Sequence, residues 1–175
     1  MDHVYHLKPE NMHGNVLFPL SELSKQYPDL GKEYIKNYKG REEVILTKIE
    51  LLSCSWQDVL FLSALNPILI FQALDVLNLL DEDIPDILQF PISSLKKKEF
   101  CLFKEIDGKD HFAPCDISSY EEPKNLSKGT WSYFLDCVSS GEKPLIFADV
   151  SHILVKGTLD IRDAKTIKYH PIIRV

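Results

Sequence analysis

Apolar and polar positions set out the elements of this chain one after another. "HVYHL" (residues 3–7) carries a short alternating pattern bounded by Pro9 and a polar loop, which predicts a first β-strand. From Ser21 to Tyr38, Leu23, Tyr27, Leu30, Tyr34, Ile35 and Tyr38 recur at helical spacing. Pro28 interrupts that run and Gly40 supplies a stop, so two short helices are predicted rather than one. "VILTKIELL" (44–52) and "DVLFLSAL" (58–65) have the aliphatic and β-branched density of buried strands. "NPILIFQALDVLNLL" (66–80) suits a helix, with Asn66 as N-cap and Pro67 at the first helical position.

The middle is less patterned. In "DEDIPDILQFPISSL" (81–95), Pro85 and Pro91 break any long element and the apolar residues fit no single period, which predicts loop plus a short element. "EFCLFKEIDGKDHFAPCDI" (99–117) flanks Asp107-Gly108 with apolar-alternating runs, and that dipeptide favours the positive φ of a tight turn. A hairpin is predicted, with Phe100, Leu102 and Phe112 on one buried face. "LSKGTWSYFLDCVSSG" (126–141) reads as a helix ending near Gly141, with Gly129 weakening its first turn. The tail from 144 onward is strand-rich, with a turn near Lys156-Gly157. The expected architecture is α+β: a single domain over 1–175, mostly antiparallel sheet with inserted helices.

Composition narrows the function classes. At 175 residues, folding hides roughly 70% of the surface of the unfolded chain, enough for a core without metals or disulfides. A net charge of −6 argues against a general nucleic-acid binder, and the one basic run, Lys96 to Lys98, reads as a solvated segment. Cys54, Cys101, Cys115 and Cys137 form no C-x-x-C pair and have no histidine placed to complete a zinc set, so they read as free thiols. No signal-peptide pattern opens the chain and no apolar run is long enough to span a bilayer. A cytoplasmic location is therefore expected, with delivery into another cell by some other signal left open; the sequon at Asn125 has no meaning there.

Dinucleotide-binding and phosphate-binding glycine loops, H-E-x-x-H, G-x-S-x-G and calcium-loop motifs are absent, which removes the familiar enzyme classes they mark. His6 and His13 make a poor metal pair, because acid or thiol ligands would have to come from elsewhere, and no metal is expected. Trp56 and Trp131 are flanked by apolar residues and are expected in the core. Asp149 and His152, three apart in a strand-like run, should point to opposite faces and form no dyad. Arg41, after Gly40, could clamp a phosphate or pair with Glu42. His6 is the strongest polar candidate: it stands where a first strand hands over to a polar loop, a place where rigid scaffolds present binding groups.

The order of these parts resembles the DNA-modifying branch of the ADP-ribosyltransferase superfamily. The parts are "VYHL", a polar loop with Asn and Gly, a helix, an arginine near position 41, "DVLFLSALNP", and a late "SHILVKGTLDI". The resemblance implies that Tyr5 and His6 match a strand whose histidine holds the nicotinamide-side ribose of NAD. It also implies a cofactor-binding set of Tyr5, His6, Asn15 and Arg41, and a catalytic pair of His6 and His152. His152 stands where that family has a glutamate, which binds the ribose 2'-hydroxyl and stabilises the cationic sugar. A neutral imidazole there would supply much less of the negative field. The expectation is a diverged, ADP-ribosyltransferase-like domain binding NAD or an ADP-ribosyl group. The alternative is a non-enzymatic protein-interaction module, such as a bacterial effector or phage-encoded inhibitor, whose pocket serves a protein partner.

Overall fold

In the computed structural model, which describes residues 2–172, the first half of the chain runs β1 (His3–Leu7), β2 (Val16–Leu17), α1 (Leu20–Gln26), α2 (Pro28–Ile35), β3 (Lys48–Ile49), β4 (Cys54–Ser55), β5 (Val59–Ser63) and α3 (Pro67–Val76). The second half continues with β6 (Ile87–Pro91), β7 (Phe100–Ile106), β8 (Lys109–Pro114), α4 (Lys128–Ser140), β9 (His152–Lys156), β10 (Leu159–Asp160) and β11 (Lys165–Ile167). Seven strands form one sheet in the order β11-β6-β1-β5-β9-β7-β8, and the neighbouring strands pair antiparallel. The architecture is α+β.

Both faces of the sheet are covered. Val4, Leu60, Leu62, Leu88, Phe90 and Ile153 pack on one side, while Cys101, Phe103 and Leu154 pack with Ile49 and Leu52 on the other. The helices α3 and α4 meet through Ile70, Leu74 and Phe134. Local signals set the element ends. The Asn66 carboxamide accepts from the Ile68 N–H at 3.0 Å, and Ser127 accepts from the Thr130 N–H at 2.9 Å. Asp107 and Gly108 both take positive φ, and Ile106 pairs with Lys109 across the two-residue turn.

Several expectations give way to the structure. Residues 44–52 are mostly 3-10 turns around the two-residue β3, and Leu46 is 65% exposed. β3 pairs with the equally short β4 in a separate two-stranded sheet, so this run does not join the seven-stranded one. The helix expected to 80 stops at Val76, because Asn78 adopts a left-handed conformation that ends it. Residues 81–95, expected as loop plus a short element, do contain one, and it is an inner strand of the sheet: the chain is loop to Asp86 and then forms β6 between β1 and β11. Ile87, Leu88 and Phe90 are buried on both faces, which erases the period-two signal, and Pro91 is tolerated at the strand's last position. Phe112 pairs with Phe103, on the face opposite Phe100 and Leu102. Trp131 is 40% exposed rather than core.

Candidate functional site

The sheet opens at one seam. All five residues of β1 are in register with β6, and all five of β5 with β9. Between β1 and β5 only Tyr5↔Ser63 remains in register, so the two strands part toward Leu7 and Val59. A cavity of about 180 Å³ lies at this opening. His6 lines it from one side, and Val59, Leu60 and Phe61 from the other.

Its outer wall comes from the helical segment of the chain. Tyr27, Leu30, Tyr34 and Tyr38 recur at helical spacing and all line the cavity, with Leu23 of α1. Inside α2, Gly31 is buried, and a Cβ there would meet the Ser24 backbone at 2.6 Å from its Cα, so α1 and α2 approach closely through this glycine. The His13 ring stacks on Tyr27, centroids 5.0 Å apart and planes 17° apart, and both rings face the cavity. The lining is therefore aromatic and aliphatic with few polar groups. Among the described residues it contains no aspartate, glutamate, lysine or arginine.

His6 is the polar group whose state the geometry defines. Its Nδ1 lies 2.6 Å from the Leu7 carbonyl oxygen, which can only accept, so Nδ1 carries the proton and donates. Burial pushes its pKa below the ordinary histidine value, which keeps the ring neutral. Nε2 is then a hydrogen-bond acceptor, and the matching ligand group is an O–H or N–H.

The other sequence candidates do not join His6 in the cavity lining. Tyr5, one residue away, points to the opposite face and donates its hydroxyl to Glu122 Oε1 at 2.6 Å; burial first, and then Glu122, raise its pKa. Asn15 is exposed, and its carbonyl accepts from the Ile161 N–H at 2.8 Å. Arg41 is exposed with its guanidinium 5.6 Å from the centroid of Tyr38, so it stands next to a lining residue without lining the cavity.

His152 lies behind Phe61. Its ring has Phe147, Phe61 and Phe103 around it, with centroids 5.5, 6.2 and 6.3 Å away. Burial pushes its pKa down to about 4, although the Val150 carbonyl works the other way; a positive charge on nearby His6 would push it lower still. Among the described residues, no hydrogen bond of ordinary geometry reaches its buried Nδ1. Asp149 forms no dyad with it: Asp149 sits in a left-handed turn before β9, accepts from the Ser127 hydroxyl and pairs with Lys104 at 3.0 Å.

Sequence reasoning missed the tyrosine stripe as a lining, although its spacing was visible, because an apolar helix face reads as core whether it meets protein or a cavity. Trp56, expected in the core, packs on Phe61 and Phe103 and also lines the cavity. Among the described residues, no three His, Cys, Asp or Glu side chains are placed to share a metal ion, and no helix is long and apolar enough to cross a membrane. All four cysteines are free, and burial raises the thiol pKa of Cys54, Cys101 and Cys115, which makes them poor nucleophiles. Comparison with family models, with curated proteins and with solved structures finds no match for this chain.

Proposed function

We propose that the opening between β1 and β5 is the binding site of a diverged ADP-ribosyltransferase-like domain, which takes NAD or an ADP-ribosyl group with His6 as its polar anchor. One observation carries the reading. The early histidine strand, the strand running into Asn66-Pro67 and the late "HILV" strand are β1, β5 and β9, consecutive neighbours in the sheet, and the sheet parts beside the histidine. The neutral His6 Nε2 accepts from a ribose hydroxyl or a carboxamide N–H. Aromatic walls from Tyr27, Tyr34, Tyr38 and Trp56 suit a flat ring.

Size and charge define which part of the ligand enters. A volume of about 180 Å³ is close to a cavity that holds benzene, about 150 Å³, and below the ~300 Å³ of a whole drug-sized site. The cavity therefore takes one ring and the group attached to it. The pyrophosphate stays outside, where the described residues of the lining offer it no cation, toward Arg41 beyond Tyr38.

Among the described residues the lining also lacks a carboxylate to face a cationic sugar, and His152 is neutral and screened by Phe61. Losing one such group typically costs about 10²- to 10³-fold in rate, so binding is the principal activity and transfer is slow or absent. Thermal denaturation with NAD, ADP-ribose and nicotinamide tests this: a 100-fold excess over Kd contributes about 2.7 kcal/mol and raises the melting temperature. No shift with any of the three contradicts the reading and favours a protein-interaction role.

A further inference from the structure

The closed end of the seam is held by a segment that belongs to neither strand. The Asp2 carbonyl accepts from the Ile92 N–H at 3.0 Å and the Lys8 N–H donates to the Asp86 carbonyl at 2.8 Å, so the even-numbered backbone groups of β1 face β6. By the alternation of an antiparallel ladder, the N–H and C=O of His3, Tyr5 and Leu7 then face β5. Tyr5 meets Ser63 there, and Leu7, at the open end, has its carbonyl taken by the His6 ring. His3, at the closed end, turns instead to residues 115–127, the connection between β8 and α4. Its N–H donates to Glu122 Oε2 at 3.1 Å, and its carbonyl accepts from the Tyr120 hydroxyl at 3.1 Å. The same hydroxyl is 3.1 Å from the carbonyl oxygen of Ala64, the residue after β5, so one phenol bridges the two strands where their ladder has no further pair in register. Glu122 Oε1 accepts from the Tyr5 hydroxyl at 2.6 Å, and the Glu122 N–H donates to Asp2 Oδ1 at 3.2 Å. The Glu122 side chain is 9% exposed, and burying a carboxylate is tolerated where donors converge on it, as His3 and Tyr5 do here.

We infer that Tyr120 and Glu122 are positioning residues for the cavity: they clamp the closed end of the seam and so fix how far β1 stands from β5 where His6 meets the ligand. The inference rests on the reading of the opening as a ligand site. Neither side chain lines the cavity, and both act through β1, Glu122 by holding Tyr5, the neighbour of His6. A continued ladder would fix the distance between the strands by zipping them shut; a side-chain clamp holds one end and leaves the other parted. A strand passes a shift at one end to the other, and a binding group works only when its supports hold it within about 0.5 Å.

Tyr120→Phe tests this with little risk to the fold, because the ring packs on the core and only the hydroxyl is lost. Amide hydrogen exchange followed by NMR reads the seam without a ligand. Tyr5 and Ser63 should exchange about fivefold faster in the variant, while His6 and Leu88, paired across β1 and β6, stay as in the wild type. Calorimetric titration should show NAD binding about fivefold weaker in Tyr120→Phe. A loss of similar size is expected in Glu122→Gln, which keeps an oxygen for Tyr5 and gives up the acceptor of the His3 N–H. Faster exchange confined to residues 115–127 overturns the inference, since Tyr120 would then anchor its own segment alone. Wild-type NAD affinity in Tyr120→Phe overturns it as well. Absence of NAD binding to the wild type overturns the reading of the site, whereas unchanged exchange at Tyr5 and Ser63 overturns the clamp by itself, which keeps the two failures apart.

Discussion

His152 shows how a surrounding changes what a residue can do. Enclosed by Phe61, Phe103 and Phe147, its imidazole stays neutral down to about pH 4, whereas the unfolded chain protonates it near 6.5. As pH falls through that window the unfolded state binds the proton first, so the stability associated with this histidine is complete above about 6.5 and is lost progressively toward 4. The slope is at most about 1.4 kcal/mol per pH unit. His152→Phe removes the titration and the buried unpaired nitrogen together. Denaturant unfolding at pH 7 and pH 5 should show the variant losing about 1–2 kcal/mol less than wild type between the two. Equal losses would mean that His152 titrates as it does in water. The position of His6 was legible because a strand end beside a polar loop exposes its last side chains. Its separation from Tyr5 also follows from strand alternation, but the opposing roles depend on Glu122, more than a hundred residues away, which no local pattern announces.

Among the elements, those with local chemistry were legible. Asp107-Gly108 set a turn, Asn66-Pro67 started a helix, Pro28 split one, and Gly141 ended another. That the short element expected within 81–95 is an inner strand, β6, was not legible, because a strand buried on both faces has no alternation, and Pro85 before it and Pro91 at its end mimic a loop. The segment 44–52 failed in the other direction: despite its β-branched density it folds as 3-10 turns around β3, which pairs with β4 outside the seven-stranded sheet. The pair α1 and α2 forms the cavity's outer wall, and its closeness depends on Gly31 meeting Ser24. Gly31→Ala should force the helices apart. Hydrogen exchange over residues 20–38 should accelerate several-fold while the global melting temperature moves by only a few degrees, since Gly31 is the one buried residue of the two helices. Unchanged exchange there would show that the wall does not depend on this approach.

At the scale of the whole molecule, a seven-stranded sheet is continuous on both sides of one seam and open at the seam itself. Strands of one sheet normally pair along their length, and here the two partners that part are each fully paired on their other edge. The opening is thus held by rigid halves and lined by aromatic side chains, which is how a ligand site is built into a scaffold. The central claim is that this opening binds an NAD-type ligand through the Nε2 of His6. Calorimetric titration of NAD into the wild type and into His6→Ala tests it most directly. The account predicts a single site on the wild type and at least about tenfold weaker binding by the variant, the loss of one hydrogen bond to a buried anchor. Both proteins should unfold within a few degrees of each other without ligand. Equal NAD affinity in the two proteins, or no heat of binding to either, would contradict the account.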